Sequence, residues 1–192
     1  MTSAIPSSPS FRLAPRRAHS GFTLAELLVT IAIVALIMGI GVPSYRYVTN
    51  ANRVAGEVNA LLGDMQLARA EAVKEGQTVT VCSSTDGASC SGSTSWRTGW
   101  IVFSDPNGNQ TVDGVDETLV RVQRAFHGTD TFDADQNVSA VTFNREGFAF
   151  GTPSPTTITL HDATSDARWT RCLAIKTVGM ITTQTAGTGN CQ

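Results

Sequence analysis

An apolar stretch near the N-terminus constrains this 192-residue chain more than any other feature. It runs from Phe22 to Val42, and its 21 residues match the roughly 20 that a helix needs to cross the hydrocarbon core of a bilayer. Glu26 is the one charged residue within it. A carboxylate at the bilayer centre costs about 2.5–3.5 kcal/mol or more, so such a residue normally has a function. The sequence therefore predicts a membrane-spanning helix with one functional carboxylate.

Two other kinds of apolar segment fit this stretch less well. A secretory signal has an apolar core of about 7–15 residues followed by a small-residue cleavage site. Here the core is longer, and the small residues and Gly21 precede it. A plain membrane anchor explains the length, but neither Glu26 nor the abrupt boundary between Gly21 and Phe22.

The segment GFTLAELLVTIAIVALI resembles the class III signal of type IV pilins and pseudopilins, with glycine, phenylalanine and glutamate at the expected positions. The resemblance implies that prepilin peptidase cuts between Gly21 and Phe22 and that Phe22 becomes N-methylated. It also implies that Glu26 pairs with the amino terminus of a neighbouring subunit in a filament; a Glu26 merely tolerated near the membrane interface is the alternative. Pro43 lies where many pilins carry a kinking proline. Because proline removes a backbone donor, a bend or a locally melted stretch is expected there.

The chain is expected to have four segments. They are a leader at 1–21, a transmembrane or filament-core helix at 22–50, an amphipathic helix at 51–76 and a β-rich periplasmic domain at 77–192. Arg12, Arg16 and Arg17 keep the leader cytoplasmic by the positive-inside rule. Without these three arginines, 11 of the 14 basic residues remain against 16 acidic ones, a formal charge of −5. This acidic balance argues against general nucleic-acid binding, which leaves a basic footprint.

Apolar residues recur at three- and four-residue steps after residue 53, which predicts an amphipathic helix that ends at Gly76. The predicted buried stripe, which would back a β-sheet, is Val54, Val58, Leu61, Leu62, Met65, Ala68, Ala72 and Val73. The predicted polar side is Arg53, Glu57, Asn59, Asp64, Gln66, Glu71 and Lys74.

From residue 77 onward the pattern changes to short β-rich runs separated by turn residues. Eight strands are predicted, at 78–83, 100–104, 118–126, 138–144, 148–150, 156–162, 171–178 and 180–184. Their close spacing suggests a small sandwich or two packed sheets. The predicted fold class is therefore α+β, with a long N-terminal hydrophobic helix packed on a C-terminal antiparallel β domain.

All four cysteines lie beyond the apolar stretch, and in an oxidising compartment an even number indicates two disulfides. Three connectivities are possible. Short local loops favour Cys82–Cys90 and Cys172–Cys191, and the second loop resembles the disulfide-bounded C-terminal region of type IV pilins. No CxxC pair or histidine stands at zinc-ligand spacing beside them. No metal or cofactor is predicted.

The segments ARAEAVKEGQTVTVC and WRTGWIVFSDPNGN and the RCLAI–VG–C ending resemble the FimT/FimU minor pilins and the H-type pseudopilins of type II secretion. The resemblance implies a low-abundance subunit that primes filament assembly near the tip. Its partners would be other minor and major pilins or pseudopilins, prepilin peptidase and an inner-membrane assembly platform. The protein would lie in the inner membrane and later in a filament or at the cell surface.

The loop DPNGNQTVDGVDE has a partial calcium-binding pattern. Positions 1, 3, 5, 9 and 12 of an EF-hand-like loop would be Asp105, Asn107, Asn109, Asp113 and Asp116. The sixth position is Gln110 rather than glycine, and the twelfth is aspartate rather than glutamate. A polar hairpin loop is the favoured interpretation.

Arg168, Trp169, Arg171 and Lys176 form a basic and aromatic cluster of the kind that binds single strands of nucleic acid. Some FimT-type proteins take up DNA through a Gly-Arg-x-Arg motif, but residues 179–182 here are Gly-Met-Ile-Thr, so both arginines are absent. Solvated surface charges are the favoured interpretation, and DNA binding remains a weak hypothesis.

No catalytic motif accompanies His127 and His161, so an enzyme is not expected. Trp96 and Trp100 are predicted to be core residues rather than a ligand platform. Three functions remain: a minor pilin that primes type IV pili for adhesion or twitching, an H-type pseudopilin of a type II secretion system, and a DNA-receptor pilin for transformation. The first is favoured.

Overall fold

In a computed structural model, residues 21–114 and 116–191 are described. The predicted leader therefore lies outside the described residues up to position 20, with Arg12, Arg16 and Arg17. The chain divides into two compact units, Met1–Ser44 and Tyr45–Gln192.

Helix α1 spans Leu24–Glu75. It begins after Thr23, whose Oγ1 accepts the Glu26 N–H at 3.2 Å, so Thr23 is the N-cap of a T-x-x-E sequence. Pro43 lies inside the helix. The locally melted stretch offered as one alternative is not found, and the bend remains a prediction. By length and composition, α1 contains a stretch that could cross a membrane.

Within the second unit, one stripe of α1 is buried, and most of the predicted apolar positions belong to it: Val54, Val58, Leu61, Met65, Ala68 and Ala72. Val73 was wrongly included, since 53% of it is exposed. Glu57 and Asp64 were wrongly placed on the polar side, because both are buried. Asp64 has polar partners in the five-stranded sheet, Trp100 and Arg121. Periodicity along one helix does not reveal such partners.

Nine strands follow: β1 Val79–Ser83, β2 Gly99–Ser104, β3 Leu119–Arg124, β4 Thr131–Ala134, β5 Ala140–Phe143, β6 Ala149–Phe150, β7 Thr156–His161, β8 Arg171–Ile175 and β9 Ile181–Thr185. A 3₁₀ turn at Trp96–Thr98 precedes β2. They form a five-stranded sheet, ordered β3-β2-β1-β5-β6, and a four-stranded sheet, ordered β4-β7-β8-β9, with antiparallel pairing throughout. The α+β prediction is confirmed, and each of the eight predicted strands is present. β4 was missed because it has only four residues, one of them Asp133.

The central strands β1, β2 and β5 of the five-stranded sheet are buried on both faces, whereas the edge strand β3 is largely exposed. Val79, Val81, Trp100 and Val102 face the main core, which α1 and the other sheet share. The alternate residues form a second, smaller cluster, Cys82, Ile101, Phe103 and Ala140, against which Cys90 and Val112 of two long loops pack. Burial on both faces explains why β2 is continuously apolar rather than alternating.

Two disulfides hold loops to the sheets. Cys82 is bonded to Cys90, and Cys172 to Cys191, which is the pairing favoured from the sequence. The first closes the loop after β1, and the second holds the C-terminal residues against β8.

Gly76 at the C-terminal end of α1 and Gly63 inside it provide a matched test of how the helix ends. Gly76 has φ +69°, and its N–H bonds to the Ala72 carbonyl at 3.0 Å, as expected for a left-handed C-terminal residue. We expect Gly76→Ala to lower the free energy of unfolding by about 1 kcal/mol, because a Cβ is disfavoured in this conformation.

Gly63→Ala is the control. Gly63 lies inside α1, with nothing within 4 Å of an added Cβ, so alanine there should stabilise the helix by about 0.5–1 kcal/mol. Urea denaturation of residues 45–192 measures both variants. Equal effects of the same sign would contradict this account of the helix end.

Candidate functional site

The N-terminal part of α1 presents an apolar surface with a single charge. Phe22 is 78% exposed, and an added Cβ on Gly21 would meet nothing within 4 Å. Every large apolar side chain from Phe22 to Val42 is exposed when the chain is considered alone. An apolar surface of this size marks contact with a membrane or with other proteins.

Glu26 is the one polar side chain of this segment left without a partner among the described residues. The Thr23 hydroxyl accepts from the Glu26 N–H, and the Thr30 hydroxyl donates to the Leu27 carbonyl at 2.8 Å. Both hydroxyls are therefore satisfied within the helix. The Glu26 carboxylate has no such bond among the described residues.

The sequence-predicted basic cluster is only partly assembled. The Trp169 ring lies 4.7 Å from that of Tyr47, centroid to centroid. Arg168 forms an ion pair with Asp166 at 2.6 Å, and Arg171 donates to the carbonyls of Arg168 and Thr170. Lys176 lies past the opposite end of β8, about 16 Å from Arg171 at the usual rise of a strand.

This arrangement weakens the nucleic-acid hypothesis. Trp169 is only 8% exposed and packs into the core, so its ring is not open for a base to stack on it. Gly179, at the first position of the compared motif, has a structural role. Its φ is +72°, and an added Cβ would lie 1.9 Å from the Gly147 carbonyl oxygen. Close backbone packing therefore explains this glycine without reference to DNA.

The loop between β7 and β8 is attached to α1 by Asp162. The Asn50 side-chain amide donates to Asp162 Oδ2 at 3.2 Å. Burial raises the pKa of Asp162, but bonds from Thr164, from the Asp166 N–H and from Asn50 outweigh it and leave the pKa below its usual value. The sequence carried no signal for this contact, which joins residues 112 positions apart.

A buried ionic cluster holds α1 against the start of β4. Arg53 Nη1 lies 2.8 Å from Asp130 Oδ1, and the Arg97 guanidinium donates to the Gly128 carbonyl. Glu57 is 6% exposed beside them. Burial raises its pKa, and so does the negative charge of Asp130, while Arg53 and Arg97 oppose the rise.

The raised pKa of Glu57 makes stability depend on pH. Between the unfolded and the higher folded pKa, the folded state binds more protons, so stability from this group falls as pH rises through that window. We expect Glu57→Gln to remove this slope and to be at least as stable as wild type at neutral pH. Urea midpoints from pH 4 to pH 8, roughly the range around a perturbed carboxyl, test this. A steeper fall in the variant would contradict it.

The loop between β2 and β3 is a polar hairpin loop whose first carboxylate is already occupied. Asp105 is fully buried and accepts bonds from the Thr80 hydroxyl at 2.6 Å and from the N–H groups of Gly108, Asn109 and Gln110. Glu117 accepts from the N–H groups of Asp113 and Gly114. In the described part of the chain, no three acidic, histidine or cysteine residues are grouped to hold a metal ion. Turn formation therefore accounts for Asp105, Asn107, Asn109 and Asp113, four of the five residues that suggested calcium.

Comparison with known proteins agrees with these features. A family model described as type II transport protein GspH matches residues 57–179, and one described as the prokaryotic N-terminal methylation motif matches residues 16–42. No curated protein matches the chain.

Solved structures are similar at the level of fold. The type IV minor pilin FimU of Pseudomonas aeruginosa has a TM-score of 0.52 and 20% identity, over 73% of this chain and 92% of that one. The minor pseudopilin EpsH of the Vibrio cholerae type 2 secretion system has a TM-score of 0.48 and 11% identity, over 70% and 98%.

Proposed function

Because the chain belongs to the GspH family of type II transport proteins, we propose that it is a minor pilin that primes assembly of a type IV pilus. The chain is a minor pilin or pseudopilin with an N-terminal methylation motif, in a family of structural subunits rather than enzymes. The observation that carries the proposal is the exposed apolar helix whose single charge, Glu26, has no partner among the described residues. Such a helix is stable in a bilayer or in a bundle of similar helices.

In the proposed cycle, the apolar helix holds the protein in the inner membrane with the β domain in the periplasm. Prepilin peptidase removes residues 1–21, and Phe22 is N-methylated. The helix then moves from lipid into a bundle with other pilins, where Glu26 meets the amino terminus of a neighbour. The β domain, which has its own core and two disulfides, makes the contacts near the filament tip.

A pseudopilin of a type II secretion system is the second candidate, favoured by the description of the matching family. The fold likeness to FimU, a type IV minor pilin, favours the pilus. DNA uptake is not proposed, because both motif arginines are absent and Trp169 is buried.

The test is the amount of pilin sheared from the surface of a deletion strain. We expect a strong loss that wild type restores and Gly21→Val does not, because a branched side chain before the cleavage point blocks processing. Nothing lies within 4 Å of a Cβ on Gly21, so the variant leaves the folded domain unchanged. Gly39→Ala, which is equally unobstructed, is the control and should restore piliation. Normal piliation with lost exoprotein release would instead assign the protein to secretion.

A further inference from the structure

The Tyr47–Trp169 contact joins two segments that both carry aromatic and basic side chains, the first turns of α1 in the second unit and the loop before β8. We call the surface that they form the base surface and define it by Tyr45, Arg46, Tyr47, Arg168, Trp169 and Arg171. All six lie in the second unit. Tyr45 and Tyr47 are 71% and 54% exposed.

Chain connectivity limits how far Tyr45 can lie from the apolar stretch. Tyr45 follows Val42 by three residues, and even a fully extended chain spans at most about 3.6 Å per residue. Tyr45 therefore lies within about 11 Å of the end of the apolar stretch, whatever the orientation of the domain. If residues 22–42 span a bilayer, Tyr45, Arg46 and Tyr47 lie at the level of the lipid headgroups or just above it.

The charge of the base surface is opposite to that of the domain. Arg46 and Arg171 have no carboxylate partner among the described residues, whereas the mature chain carries a formal charge of −5. Of the acids nearby, Asp166 is neutralised by Arg168, whereas Asp162 keeps its charge and accepts a bond from the neutral Asn50 amide. Arg46 and Arg171 therefore have no ion-pair partner in the described part of the chain, and with Asp162 counted the surface keeps a net positive charge.

Trp169 differs from the other two tryptophans in its N–H group. Trp96 donates to the Val138 carbonyl and Trp100 to Asp64, but the Trp169 N–H has no acceptor among the described residues. A tryptophan with a packed ring and a free N–H, beside tyrosines and arginines, is typical of the interface between membrane and water.

We propose that, before filament assembly, the base surface docks on phospholipid headgroups of the membrane that holds the apolar helix. This inference rests on the proposed function, since it needs residues 22–42 to span the bilayer. Arg46 and Arg171 contact lipid phosphates, the tyrosine rings lie among the headgroups, and the Trp169 N–H donates to a phosphate or ester oxygen. Docking would hold the domain upright on the membrane, in one orientation for capture by a growing filament.

Tryptophan fluorescence of the full-length protein in proteoliposomes tests the docking. The vesicles contain phosphatidylethanolamine and phosphatidylglycerol, with brominated acyl chains as quencher. Ala167→Trp places a reporter on the exposed loop beside Arg168, far in sequence from the helix. Trp96 and Trp100 are fully buried and contribute only background. Trp169 belongs to the base surface and is present in both reporter variants, so the quenching of the wild-type protein is measured and subtracted from each.

Val178→Trp is the matched control. Val178 is exposed and lines a groove with Val73, which lies 26 residues beyond Tyr47 on α1 and hence about 39 Å away. We expect bromolipid to quench the reporter at position 167 and not the one at position 178. Arg46→Ser should reduce the docked fraction relative to the undocked one about fivefold, the effect of one cation at an anionic surface. Lys176→Ser, at the other end of β8, should have no effect.

The outcomes separate this inference from the proposed function. Equal absence of quenching at both positions, in protein that resists carbonate extraction, would overturn docking and leave the membrane-anchored pilin intact. Protein that carbonate extracts would overturn both proposals. A reporter at position 167 that responds to duplex DNA and not to lipid would overturn docking and assign the base surface to nucleic acid.

Discussion

Cells whose only copy of this protein carries Glu26→Gln are expected to lose most of their surface pili, although the variant is made, inserted and processed normally. Glutamine keeps the size of the side chain and can still accept hydrogen bonds. It lacks the charge that makes this helix unfavourable in lipid and attractive to a neighbour's amino terminus.

The expected size follows from the cost of the charge. A carboxylate at the bilayer centre costs about 2.5–3.5 kcal/mol. Glu26 is the fifth of the 21 residues from Phe22 to Val42, so this figure is the upper bound of the cost that pairing in the filament relieves. Since about 1.4 kcal/mol is a factor of ten, the variant should enter filaments with affinity reduced by at most about two orders of magnitude. Sheared pilin and the mass of the processed N-terminus measure assembly and cleavage separately.

Thr30→Val is the matched control in the same segment. The Thr30 hydroxyl is already bonded to the Leu27 carbonyl, and valine has nearly the same shape. We therefore expect wild-type piliation from this variant. Wild-type piliation from Glu26→Gln as well would mean that Glu26 is only tolerated near the membrane interface.

Periodicity predicted most of the fold because burial in this protein is largely decided within single elements. The helical repeat from Val54 to Ala72 marks the buried stripe of α1, and the β-rich runs mark the strands. The end of α1 coincides with Gly76, a glycine that adopts positive φ. β4 was not predicted because its pairing with β7, and not its own composition, makes it a strand.

The residues of the candidate site also fall into those that a local sequence pattern identifies and those that only the folded structure brings together. The processing positions and Glu26 are contiguous in sequence, so a motif identifies them, although their roles remain predictions. The base surface combines residues 45–47 with residues 168–171, and only the folded chain brings these together. The basic cluster found by sequence reasoning therefore included Lys176, which lies elsewhere, and omitted Tyr47, which packs on Trp169.

Buried acids were the clearest failure of sequence reasoning, and Asp64 shows why. Its position on α1 fits a polar side, yet its Oδ2 accepts the Trp100 N–H at 2.9 Å and its Oδ1 lies 3.5 Å from Arg121 Nε. Both partners come from the five-stranded sheet. A charged residue on the buried side of a helix is favourable only when other elements supply such partners. The residue pattern along the helix itself does not reveal whether they exist.

Trp100→Ala is expected to be the most destabilising single substitution proposed for the β domain, at about 3–5 kcal/mol. Trp100 is fully buried, and its ring lies 5.6 Å from that of Phe126 and 6.3 Å from that of Phe132. The substitution leaves a large cavity and removes the donor to Asp64. Since single domains are stable by only about 5–15 kcal/mol, the substitution removes a large fraction of the free energy of unfolding, and the protein should unfold at a lower temperature and urea concentration than wild type.

A double-mutant cycle separates the cavity from the lost hydrogen bond. Trp100→Phe keeps most of the ring volume but leaves the buried Asp64 carboxylate without its donor, and Asp64→Leu leaves the Trp100 N–H without its acceptor. Each should cost about 1–3 kcal/mol, because an unsatisfied buried polar group carries its desolvation penalty. The double variant should cost less than the sum, since neither orphaned group remains. Urea unfolding of residues 45–192 measures all four proteins; strict additivity would mean that the Trp100–Asp64 bond does not hold α1 to the sheet.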